Sequence, residues 1–261
     1  MEAQALELAP LLARRELWRL LSVAFVDPYH RQRLEILRDS GFRRRTREAA
    51  ALVAQEQRAL ELGPGELDPK TLSLGALFGA FEAQYPTLER TYRELFGLTA
   101  ISPGCPACEV EYEPSTELSH RSQRLADVAA FYNGFGLQVA GRAGERLDHI
   151  TVEAEFLYLL LAKEAAARQS GNQEGAEVCR EARGKFFQEH VGWWLPAFAR
   201  VLRRAAPAGY YRELASFTAG LSALERVRLN LPPFRAPVIP KPFGPESKAA
   251  CRGCAGGPQV P

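Results

Sequence analysis

"DHITVEAEFLYLLLAKEAAARQ", residues 148–169, decides how the rest of the chain is read. Asp148 stands where a helix N-cap belongs, and the acids after it sit where a helix dipole favours negative charge. The apolar run inside it, Phe156 to Ala162, is the longest unbroken one in the chain. It is far short of the roughly 20 residues that cross a bilayer. The stretch predicts a helix inside an all-α body.

Helical spacing recurs on both sides of it. "PLLARRELWRLLSVAF", residues 10–25, puts Leu11, Leu12, Leu17, Leu20, Leu21 and Phe25 on one stripe with arginines opposite, and Asp27 and Pro28 end it. A short helix is read over 30–37 and further ones within 42–62, 71–98, 119–139, 172–191, 195–206 and 210–229. Hydroxyl residues before His120 are expected to cap the helix that starts there. No run of alternating β-branched residues with hairpin turns occurs. The fold class is all-α, a single globular helical bundle of about nine to eleven helices over residues 1–230. Residues 231–261 hold eight of the chain's 18 prolines, which predicts an extended Pro-rich C-terminal tail.

Composition narrows the function. With 261 residues, 46% hydrophobic and 25% charged, the chain matches an average globular protein. Its formal charge of +2 supplies no basic field for nucleic acid. Glu2 and Glu7 stand where a secretory signal would carry Lys or Arg. A cytoplasmic protein without stable membrane association is expected, and there its five cysteines stay reduced.

Chemistry concentrates in "SPGCPACEVEYEP", residues 102–114. No basic residue lies between Gly97 and His120, so the loop is expected to face its partner with unbalanced negative charge. Glu109, Glu111, Glu113 and Glu117 here, and Glu145, Asp148, Glu153 and Glu155 downstream, suit a basic peptide. Arginine–carboxylate contacts are charge-assisted and often bidentate, while apolar grooves supply affinity. The plainer readings are capping for Asp148, a solvated loop glutamate for Glu111 and a buried ring for Tyr112. Trp193, Trp194 and Phe198 are expected to pack at a helix junction, and Cys179 as a small buried helix residue.

Cys105 and Cys108 form one Cys-x-x-Cys pair, and Cys251 and Cys254 in the tail form another. Together they would make a four-thiolate zinc site, with an iron–sulfur cluster the lesser choice. Two local disulfides or free thiols are the alternatives. His120, His149 and His190 accompany no nucleophile elbow, zinc-protease helix or phosphate-cradling loop, so no enzyme is expected.

"YRELFGLTAISPGCPACEVEYEP", "LADVAAFYNGFGL", "ERLDHITVEAEFLYLLLAKEA" and "EHVGWWLPAFA", in that order, resemble the TorD-like chaperones. The resemblance covers about residues 10–230, and the loop is most similar to the branch serving type II enzymes of the dimethyl sulfoxide reductase family. It implies a cytoplasmic chaperone, monomer or homodimer, without a reaction of its own. Such a protein binds the apo catalytic subunit of a molybdopterin oxidoreductase, and its twin-arginine signal peptide, until cofactor insertion. It also implies that Asp148 and His149 take part in leader recognition. With the loop residues they make a client-binding set of Glu109, Glu111, Tyr112, Asp148, His149 and Glu153. The alternative is a four-cysteine metal-binding scaffold or regulatory protein.

Overall fold

The computed structural model describes residues 2–55, 61–72, 74–97, 105–115, 117–138, 145–234 and Pro240. The architecture is all-α, and among the described residues there is no strand, only an isolated antiparallel bridge between Cys108 and His149. In chain order the helices are α1 Glu2–Ala24, the single-turn α2 Arg31–Leu34, α3 Ser40–Ala54, α4 Leu74–Gln84 and α5 Leu88–Phe96. After the cysteine loop come α6 Leu118–Gly134, α7 Ile150–Gln169, α8 Gln173–Phe186, α9 Leu195–Ala205 and α10 Tyr210–Arg228.

The helix read within 148–169 is α7, Ile150–Gln169, and it lies inside the bundle. Ile150, Ala154, Leu157, Leu160, Leu161 and Ala165 recur at three and four and are buried, so one stripe packs against α1 and another against α8. The α1 stripe answers with buried Leu17, Trp18, Leu20 and Leu21. Beyond it, the Asp27 side chain accepts from the Tyr29 amide at 2.8 Å and Pro28 opens a 3-10 turn. The helix expected over 30–37 is instead α2 followed by a second 3-10 turn, Glu35–Arg38. Asp39 then caps α3 by accepting from the Phe42 amide at 2.6 Å.

Helix α10 is covered on most sides, which its mixed sequence does not announce, because polar residues inside it find partners. Glu225, wholly buried, accepts from Arg14 and Trp18, both at 3.2 Å, and from Arg183. Arg183 also donates to Glu164 at 3.1 Å. One buried network thereby joins α1, α7, α8 and α10. Burial works to raise the Glu225 carboxyl pKa, but Arg14 and Arg183 outweigh it and hold it below the ordinary carboxylate range.

Arg226 next to it pairs with Glu66 at 2.6 Å and donates to the carbonyls of Leu231 and Glu61. Those bonds fix the chain as it leaves the bundle, and residues 231–234 run irregularly. The extended form expected of residues 235–239 and 241–261 lies outside the described residues. No helix of the described residues is long and apolar enough to cross a membrane.

Candidate functional site

The cysteine loop is held at its aromatic end first. Tyr112 is fully buried, donates its hydroxyl to the Pro106 carbonyl at 3.0 Å, and packs its ring against Trp194 with centroids 5.3 Å apart. Trp194 and Phe198 are buried at the start of α9, as expected of a helix junction, while Trp193 is half-buried. Pulled inward there, the loop meets the entry to α7. The Glu109 amide donates to the Asp148 carbonyl and the Ile150 amide to the Ala107 carbonyl, each at 2.9 Å. The Asp148 carboxylate accepts from the Val110 amide at 3.0 Å.

This bridge explains why the N-cap falls one residue later than the sequence suggested. Asp148 is drawn away to the loop, and His149 caps α7 by accepting from the Thr151 amide at Nδ1. An imidazole can accept there only when neutral. Burial, with Arg146 and Arg33 nearby, lowers the His149 pKa to about 4, so the cap holds at neutral pH. At the other helix entry, α6, the N-cap Glu117 makes no side-chain cap bond; its amide donates instead to Ser115 Oγ at 3.2 Å.

The expectation of unbalanced negative charge is corrected by two arginines from outside the loop, Arg124 on α6 and Arg146 just before α7. Arg146 forks onto both oxygens of Asp148 at 3.0 and 2.9 Å and reaches Glu111 at 2.9 Å. Arg124, on α6, donates to Glu113 at 2.8 Å, to Glu109 at 3.2 Å and to the Glu189 carbonyl at 3.0 Å. Its guanidinium lies 4.9 Å over the Trp193 ring. Glu109 also takes the Trp193 indole N–H at 3.0 Å and lies 3.2 Å from His190 Nδ1. Arg146 stands two residues before Asp148, a local signal for that pair, but nothing in the loop marks Arg124, His190 or Trp193 as partners. The one usable signal is physical: acids that fold inward require cations.

Glu153 differs from its neighbours. It is 1% exposed, Oε2 accepts from the Trp194 indole N–H at 3.1 Å, and Oε1 is covered without a hydrogen-bond partner among the described residues. Burial first, then the negative charges of Glu109 and Asp148, raise its pKa well above the ordinary carboxylate value. A raised carboxyl pKa means the folded state holds a proton that the unfolded chain releases. Its contribution is complete in acid and is lost as pH rises toward the folded-state value. Glu153→Gln is expected to keep the fold and to flatten the fall of stability as pH rises above the ordinary carboxylate range. Urea unfolding from acid to alkaline pH checks this, and parallel curves for the two proteins would contradict it.

Six predicted residues, Glu109, Glu111, Tyr112, Asp148, His149 and Glu153, are thus brought together around the bridge. Cys105 and Cys108 are buried on the same loop, and burial pushes the Cys105 thiol up to about 11 and raises Cys108 well above the ordinary thiol value. Cys251 and Cys254 lie outside the described residues. Among the described residues no group of three or more His, Cys, Asp or Glu side chains is placed to hold a metal ion. Cys179 is buried on α8.

The sequence model of the nitrate reductase delta subunit family matches residues 72–200, which contain the loop, its arginines and the α7 entry. The selenate reductase assembly chaperone protein of Thauera selenatis is 37% identical over 118 residues, 45% of this chain and 58% of that protein. The perchlorate reductase assembly chaperone protein of Dechloromonas aromatica (strain RCB) is 30% identical over 105 residues, 40% of this chain and 46% of that protein. The chain therefore spans about half the length of the curated relatives it matches. No solved structure matches it. The matched segment, just under half of the chain, carries the loop and the α7 entry on an all-α body, and over it the chain is similar to the nitrate reductase delta subunit family, TorD-like, and to these assembly chaperones.

Proposed function

We propose that this protein is a cytoplasmic assembly chaperone for a molybdopterin oxidoreductase. In this reading it binds the apo catalytic subunit, with its twin-arginine leader where one exists, until the cofactor is inserted, and makes or breaks no bond itself. The observation that supports it best is the bridged loop. Acids and aromatic rings that the chaperone relatives' resemblance points to are held on a scaffold at one edge of the bundle, with the Arg124 and Arg146 side chains 29% and 41% exposed there. Glu109, Glu111 and Asp148 would orient basic side chains of the client and His149 would offer its Nε2–H to a client acceptor, while Tyr112 holds the loop that presents them and Glu153 holds Trp194, on which the Tyr112 ring packs. Co-expression tests the reading. The tagged protein is expected to retain a catalytic subunit made without cofactor, and recovery of the chaperone alone would contradict it.

The paired Cys-x-x-Cys motifs support a second, compatible reading, a zinc site joining Cys105 and Cys108 to Cys251 and Cys254. The buried, protonated thiols of the first pair would have to ionise on binding the ion, as zinc can enforce. One equivalent of zinc is then expected in protein purified under reducing conditions, and none in the Cys251→Ser, Cys254→Ser form. Less than half an equivalent in the parent protein contradicts it.

A further inference from the structure

The arginine networks of this fold fall into two kinds. Arg183 and Arg226, in the core, have side chains 3% and 4% exposed. Arg124 and Arg146 approach from outside at 29% and 41%, whereas Glu109, Glu111 and Asp148 beneath them are 0%, 5% and 0% exposed. Each surface guanidinium therefore plugs a socket whose acidic floor is already built. The Arg124 socket adds a carbonyl acceptor, Glu189, and an aromatic wall, Trp193, a combination that suits a planar guanidinium better than an ammonium. In the Arg146 socket, Glu111 Oε2 is covered and without a partner, so the floor offers one acceptor more than its occupant uses. Glu109 and Glu111 belong to one 3-10 turn, Glu109–Glu111, and the two sockets adjoin.

We propose that Arg124 and Arg146 are internal stand-ins for arginine side chains of a bound polypeptide, which enters the sockets by displacing them. The inference rests on the client reading above and adds to it a built-in competitor. Exchanging one guanidinium for another never leaves the buried carboxylates bare, the state that costs most. The displaced side chain, already part-exposed, returns to water. Occupation by the internal arginine lowers the apparent affinity of the client by the fraction of time the socket is empty. Release is thereby made easier once the client's own folding withdraws its arginines.

The test uses the full chain with Arg124→Ala and, separately, Arg146→Ala. Each is melted in low-millimolar guanidinium chloride against sodium chloride of equal strength, and titrated with a leader peptide carrying adjacent arginines and with its lysine counterpart. The vacated sockets are expected to take up guanidinium, raising the melting temperature of the variants and not of the parent. The arginine peptide is expected to bind at least one variant about tenfold more tightly than the parent, and the lysine peptide to gain less. Neither variant responding to guanidinium, or both binding the arginine peptide no better than a parent that binds it, overturns the stand-in role and leaves the client reading intact. Variants that take up guanidinium while no form binds the peptide or the apo subunit overturn both.

Discussion

Glu225→Ala is expected to remove about 3–5 kcal/mol of folding stability, the cost of breaking a buried ion pair from one side. For a chain of this size that is a fall of roughly 6–20 °C in melting temperature. Among the described residues the carboxylate is the acceptor for the Arg14 side chain and the Trp18 indole, and one of two for Arg183. Removing it leaves two guanidinium groups facing each other inside the bundle. Burial also prevents water from entering cheaply to replace the lost acceptor. Glu177→Ala, on the exposed surface of α8 where Glu177 pairs with Arg180, is expected to leave the melting curve in place, because such pairs exchange with water. Circular dichroism melts of the two variants make the comparison, and similar curves would contradict the core role of the network.

Asp148→Ala combined with Glu111→Ala is expected to weaken client binding by about ten- to a hundredfold, the loss of one or two strong charge-assisted contacts. Asp148 serves twice. Its carboxylate accepts from the Val110 amide and from both arms of Arg146, so its removal takes away one of the loop's ties, leaving the backbone bridge, and strips the acidic floor of one socket. Because Arg146 is 41% exposed, water can rehydrate it, and the stability lost is expected to be small beside that of Glu225→Ala. Calorimetric titration with a client leader peptide reads the affinity, and circular dichroism confirms that the double variant is folded. Unchanged affinity in a folded double variant would remove these residues from the recognition surface.

The helices were legible because their apolar spacing is local. α1 and α6 could be drawn from three- and four-residue recurrences alone. The segment after Pro28 was less so, since a chain that turns repeatedly over ten residues shows the same composition as a short helix. The site was half legible. Glu109, Glu111 and Asp148 announced themselves by type and spacing, but whether an acid faces water or an arginine depends on which distant residue the fold delivers. Arg124 lies 15 residues from Glu109 on another element, and no pattern in the loop points to it. Asp148 illustrates the same limit. It reads as a cap until tertiary structure supplies a better donor, the Val110 amide, and passes the cap to His149.

The affinity of the purified chain for one catalytic subunit, prepared first without and then with its molybdenum cofactor, bears most directly on the whole account. The apo subunit is expected to bind at micromolar strength or better and the loaded subunit at least about tenfold more weakly, a difference of about 1.4 kcal/mol. Equal binding of the two forms, or binding of neither, would contradict it.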